Sequence, residues 1–173
     1  MTITITVFGS SAAKPGESEY QTAEEIGKLI AKAGYVLKNG GYGGTMEASA
    51  KGAQLAGGET IGILLKGYWG NEGNKWLSGK VFTGDLFQRL KGLIDGADAF
   101  IVLPGSSGTL AEISLILEMI AKKIVPVVPV VFIGDFWTPF LDFFREISPG
   151  AAKIFTVVEG PQEALQHIKK TLE

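Results

Sequence analysis

Residues 101–113, IVLPGSSGTLAEI, run from an apolar strand through a glycine- and serine-rich loop into an amphipathic helix. Gly105, Ser106, Ser107, Gly108 and Thr109 gather backbone N–H groups and hydroxyls where a helix begins and its dipole is positive. That combination holds an anion, and a phosphate group suits it well. The loop lacks the lysine of a P-loop, which disfavours nucleoside triphosphate hydrolysis by that route. Glu112 follows one turn into the helix, roughly 5 Å along the axis from Gly108 or Thr109, about the scale of a ribose 5-phosphate. A carboxylate there can stabilise an oxocarbenium-like ribose and orient or activate an attacking water. The same spacing also fits a capping box between Thr109 and Glu112.

Other chemistries are closed off by composition. The chain has no cysteine and a single histidine, His167, which removes thiol nucleophiles, disulfides, Ser-His-Asp triads and cysteine-histidine zinc sites. His167 lies among Gln166, Lys169 and Lys170 and reads as a solvent-facing residue. The site is therefore expected to work with carboxylates, arginine, lysine, hydroxyls and backbone, without a metal ion or an organic cofactor. A net charge of −2 and a pI near 5.5 carry no electrostatic footprint of a phosphate-backbone binder, so nucleic acid is not an expected partner.

Two further glycine-rich turns follow strands. FGSS closes the first strand and offers Ser10 and Ser11, either as ligand donors or as an ordinary helix-capping turn. NGGYGGT closes the second, with Gly41, Gly43 and Gly44 as candidate nucleotide-binding positions. It contains no G-x-G-x-x-G, and Asn39 rather than an acid ends the strand, which disfavours nicotinamide or flavin binding. One such loop alone reads as a tight turn; three on one sheet edge point to a ligand.

Strands are predicted over 3–8, 35–38, 60–65, 98–103, 125–133 and 154–158, several of them apolar on both faces as buried parallel strands are. Helices are predicted over 17–33, 45–56, 84–95, 108–122, 136–146 and 161–171. This alternation predicts an α/β fold, Rossmann-like and doubly wound, with a mostly parallel sheet and helices on both faces. The 173 residues fit a single domain over 1–173. The segment 66–79, KGYWGNEGNKWLSG, reads as a mobile flap. The most apolar run, VPVVPVVFIG, is too short and proline-broken to span a bilayer, and the amino-terminal residues lack a basic leader. A cytoplasmic location with no membrane partner is expected.

Pro104, Gly105, Gly108, Thr109 and Glu112 carry a resemblance to the LONELY GUY (LOG) family of cytokinin riboside 5′-monophosphate phosphoribohydrolases, the "lysine decarboxylase-like" proteins. The family signature Pro-Gly-Gly-x-Gly-Thr-x-x-Glu stands here with Ser106 in place of the second glycine. VFGSS, NGGYGGTMEASAKGA, GGETIGILL and ADAFIVLPG extend the likeness over nearly the whole chain. The family also places an arginine nine residues before the aspartate of that last motif, and Arg89 keeps this spacing to Asp98. Its neighbours depart: Leu86, Phe87 and Leu90 replace a Met-His pair and a lysine. The Thr-Trp-x-Gln segment associated with the family's substrate pocket is here Glu118-Met119-Ile120-Ala121.

The resemblance implies a nucleotide-binding hydrolase that cleaves a purine nucleoside 5′-monophosphate such as AMP, or a modified one, to free base and ribose 5-phosphate. It makes Arg89 and Glu112 the catalytic pair; without it, Arg89 reads as a surface residue paired with Asp85. It also implies a homodimer, in keeping with a helix rich in Leu110, Ile113, Leu115, Ile116, Leu117, Met119 and Ile120. A nucleotide or molybdenum-cofactor carrier or sensor on the same fold is the alternative. A true lysine decarboxylase is excluded by the absence of a pyridoxal-phosphate lysine context.

Overall fold

In the computed structural model, which describes residues 2–67, 72–149 and 153–172, seven strands form one sheet. They are β1 (Thr4–Phe8), β2 (Val36–Asn39), β3 (Thr60–Leu65), β4 (Gly79–Thr83), β5 (Ala99–Val102), β6 (Val130–Ile133) and β7 (Phe155–Val158). All neighbouring pairs are parallel, in the order β4-β3-β2-β1-β5-β6-β7. The described helices are α1 (Ser18–Lys32), α2 (Thr45–Leu55), α3 (Leu86–Ile94), α4 (Ser107–Ala121), α5 (Thr138–Ile147) and α6 (Pro161–Leu172). The expected doubly wound α/β, Rossmann-like fold is what the chain adopts.

Side chains on successive strand residues alternate between faces, so each central strand feeds two cores. Ile5 and Val7 of β1, with Leu37 and Ile101, join Ile26, Ile30 and Ile168 beneath α1, α2 and α6. Phe8, Phe100, Val102 and Phe132 join Leu93, Ile113, Ile116 and Leu141 beneath α3, α4 and α5. This accounts for strands apolar on both faces. It also assigns most of the α4 stripe: Ile113, Ile116, Leu117 and Ile120 are buried in the chain's own core, while Leu110 remains exposed.

Three departures from the sequence reading have clear causes. β4 is an additional strand; it lies at the sheet edge with Lys80, Val81 and Phe82 exposed, so it lacks the apolar run that marks the interior strands. β6 begins at Val130 rather than 125, because Pro126 and Pro129 cannot donate to a ladder and residues 125–129 form a bend and an irregular approach to it. The described part of the predicted flap is anchored rather than loose, while residues 68–71 lie outside the described residues. Asn74 donates through its backbone to Gly41 O (2.8 Å) and through Nδ2 to Tyr42 O (2.9 Å). Thr60 and Ser78 exchange bonds, and Trp76 and Leu77 pack on the core.

From β1 the chain steps outward through β2 and β3 to β4, then crosses back to pair β5 against the other side of β1. The reversal opens a crevice at the carboxyl ends of β1 and β5. Among the described residues, no helix is long and apolar enough to cross a membrane.

Candidate functional site

Two threonines draw the helices around the first loop. Thr45, the first residue of α2, donates through N (2.8 Å) and Oγ1 (3.1 Å) to Ser10 O, and Thr109 Oγ1 of α4 donates to Gly9 O (3.0 Å). Both helix N-termini are thereby held at the end of β1. Leu103 N donates to Phe8 O and Trp137 Nε1 to Leu103 O, fixing the approach to the PGSSGT loop.

The crevice between them is a cavity of about 480 Å³. One wall is Ser106, Ser107, Gly108, Thr109 and Glu112 from α4; another is Gly40, Tyr42, Met46, Leu65, Leu86 and Arg89; Val7 to Gly9 and Ser11 form the floor. Of the candidate site residues, Ser11, Arg89, Ser106, Ser107, Gly108, Thr109 and Glu112 come together here. Ser10, Gly41, Gly43, Gly44 and Gly105 lie outside the lining. Ser10 Oγ accepts from Ala12 N (3.0 Å), the capping-type turn, and Gly43 faces a neighbouring concavity with Glu47 and Glu72. Gly44 has φ 66°, and a Cβ on it would collide with Ser10 O, so it shapes the loop.

Ser106 caps α4 with φ −110° and ψ −158°, an extended conformation that any residue adopts, which is why serine stands where the signature has glycine. The first main-chain bond of the helix is Leu110 N to Ser106 O (2.9 Å). The N–H groups of Ser107, Gly108 and Thr109 therefore have no hydrogen-bond partner among the described residues, nor do the hydroxyls of Ser106 and Ser107. Thr109 Oγ1 is committed to Gly9 O, and no capping-box bond ties it to Glu112. Glu112 instead projects into the cavity, partly buried.

Arg89 is no surface residue paired with Asp85. Asp85 Oδ1 caps α3 by accepting from Gln88 N (2.8 Å), while Arg89 reaches inward from the same helix. Its Nε donates to Ile63 O (2.9 Å), its Nη2 to Gly40 O (3.2 Å), and its guanidinium lies over the Tyr42 ring, 5.4 Å from the centroid. A Cβ on Gly40 would collide with Nη2, so the glycine makes room for the arginine. Nη1 has no hydrogen-bond partner among the described residues. Lys38, a buried residue of β2, steadies α3 from its other end, donating to Asp95 O (2.6 Å) and Gly92 O (3.2 Å). Burial lowers that amine to about 8 against the opposing charges of Asp95 and Asp98.

Burial pushes the Glu112 carboxyl up to about 7, and the positive charge of Arg89 acts the other way. No ion pair joins the two among the described residues. The cavity thus pairs an anion cradle with a carboxyl that changes charge near neutrality and a fixed cation. Sequence reasoning missed Tyr42, Met46, Leu65 and Leu86 as lining residues; an aromatic side chain set inside the glycine run GGYGG was the one signal that pointed to any of them.

Residues 2–141 match LDcluster4, the SLOG cluster4 family. A cytokinin riboside 5′-monophosphate phosphoribohydrolase of Mycobacterium tuberculosis is 36% identical over 111 residues, which span 62% of this chain and 59% of that one. Among solved structures, the molybdenum cofactor binding protein from the phototrophic bacterium Rippkaea orientalis superposes with a TM-score of 0.82 at 26% identity, over 100% of this chain and 99% of that one. The molybdenum cofactor carrier protein from Chlamydomonas reinhardtii gives a TM-score of 0.82 at 29% identity, over 99% of each chain.

Proposed function

Because the chain belongs to the SLOG cluster4 family, a LOG-like family, we propose that it is a phosphoribohydrolase acting on a purine nucleoside 5′-monophosphate. The observation that carries this reading is the set of three N–H groups at the start of α4, unpartnered among the described residues, in the same cavity as Glu112 and Arg89. A 5′-phosphate dianion satisfies those groups and the helix dipole together. The ribose then extends along α4 toward Glu112, one turn on. As the bond from C1′ to the base nitrogen lengthens, positive charge gathers on the ribose, and the ionised Glu112 stabilises it and orients water toward C1′. The base leaves with the bonding electrons and takes up a proton; water supplies the hydroxyl of ribose 5-phosphate. Arg89, fixed by two carbonyls, turns Nη1 toward the nucleotide.

Chromatography of free base and ribose 5-phosphate from a panel of nucleoside monophosphates tests this reading; it fails if no member yields either product. The Ser106 backbone adds a prediction. Since the conformation there is unstrained, Ser106→Gly is expected to cost only a few tenths of a kcal/mol in stability and to retain AMP binding. Thermal melting and calorimetric titration check both, and loss of AMP binding would mean that the hydroxyl, not the N–H groups, holds the phosphate.

A second reading, carriage of a nucleotide or of the molybdenum cofactor without turnover, is supported by the full-length overlap with the two cofactor-binding structures. The apolar Leu86 in the cavity lining favours it as well, since it gives a bound base or pterin a surface but no proton donor. Tight AMP binding with no product from any nucleotide decides for carriage.

A further inference from the structure

Tyr42 belongs to neither the anion cradle nor the catalytic pair, yet it is held firmly through both its side chain and its backbone. Its phenol oxygen accepts from Leu65 N (2.9 Å) and donates to Leu65 O (3.4 Å) at the end of β3. Its own carbonyl accepts from Asn74 Nδ2 (2.9 Å), and Asn74 also donates twice to the preceding Gly41 O. The ring is thus fixed at both ends, by β3 and by the strap around Asn74. It forms the wall between the main cavity and the concavity lined by Gly43, Glu47 and Glu72. On the cavity side the Arg89 guanidinium lies over it.

The other two holds on Arg89 are backbone carbonyls, Ile63 O and Gly40 O. Two hydrogen bonds to one side of the guanidinium fix its reach but leave it free to swing about them; a rigid aromatic face is what sets its plane. We infer that Tyr42 is a positioning residue, which acts on the nucleotide through Arg89 by stacking beneath the guanidinium and aiming Nη1, unpartnered among the described residues, into the cavity. The inference rests on the proposed nucleotide site but not on turnover, because an aimed arginine strengthens binding whether or not the bond is cleaved.

A double-mutant cycle on AMP affinity, read by calorimetric titration, tests it. Tyr42→Leu is expected to weaken AMP about tenfold, the scale of a partly desolvated cation–π contact, and Tyr42→Phe, which keeps the ring, to retain most of the affinity. In an Arg89→Ala background, Tyr42→Leu is expected to cause no further loss. Equal losses in both backgrounds, or a Tyr42→Phe variant as weak as Tyr42→Leu, overturn the inference. Should Tyr42→Leu fail to fold, mono-, di- and trifluorinated phenylalanines at position 42 keep the shape while draining the ring face; affinity should fall stepwise with fluorine number, and a flat series rejects the stacking role. Absence of product with an intact cycle condemns hydrolysis alone, and an additive cycle with product condemns the Tyr42 role alone. Absence of AMP binding by the unaltered chain removes the nucleotide site and with it this inference.

Discussion

Glu112→Gln is expected to cut base release from AMP by about 10²- to 10⁴-fold, the range supplied by a positioned acid or base, while leaving AMP binding nearly unchanged. The substitution keeps the shape and removes the charge that the proposed reaction uses to stabilise the ribose cation. The pH profile carries the sign. The carboxyl ionises at about 7, so turnover that depends on the carboxylate should fall as pH drops below 7 and level off above it. A profile that instead falls as pH rises through 7 would make the neutral form the working one, a proton donor to the leaving base. Stability should move the opposite way. The folded carboxyl holds its proton to about 7 and the ordinary value is 4.5, so ionisation disfavours the fold progressively between those two values and fully above 7. Glu112→Gln should therefore match the parent at pH 4 and exceed it at pH 8 by on the order of 3 kcal/mol. A variant more stable and nearly inactive is the mark of a group held at a cost for function; equal melting at both pH values, followed by calorimetry, would deny that the site strains this carboxyl.

Adenosine should be cleaved about 10³-fold or more less efficiently than AMP in kcat/KM. The nucleoside leaves the N–H groups of Ser107, Gly108 and Thr109 without a charged acceptor, and three charge-assisted bonds at ~1.5 kcal/mol each amount to that factor. Because the phosphate does not react, the energy of holding it can be used to set C1′ against Glu112, so kcat should fall along with affinity. Steady-state kinetics on the two substrates, with product separation, measures both. Equal cleavage would show that the α4 N-terminus does not anchor the substrate.

β3 and β5 were legible because a short, mainly apolar run is stable only where both sides of the strand are covered, and β1 because ITITVF alternates as a strand does. β4 was not, since GKVFT pairs along one edge only and carries no such run. The PGSSGT loop declared itself through glycines and hydroxyls at a helix start, whereas the spacing of Glu112 fitted a capping box equally and the family resemblance singled it out. Arg89 did not declare itself: Asp85 four residues earlier offers a helix-surface partner, and only the tertiary approach of Gly40 and Ile63 reveals that the side chain turns inward. The glycines of NGGYGG divide in a way no local pattern announces. Gly40 lies against Arg89, whereas Gly41 and Gly44, at φ 77° and 66°, turn the chain between β2 and α2. Which glycine faces a ligand and which faces a neighbouring carbonyl depends on where β3 and the first loop lie, and that is fixed by sheet order.

The uniform direction of the strands fixes how the molecule can be handled. Every strand runs toward the crevice and every helix returns from it, so Thr4 at the start of β1 and Leu172 at the end of α6 both stand at the opposite edge of the sheet. A tether, dye or fused reporter attached at either end hangs from the underside and leaves the mouth of the cavity open to solution. The fold is in this respect ready to be immobilised on a sensor chip from the side of Thr4 and Leu172, with the mouth of the cavity directed outward.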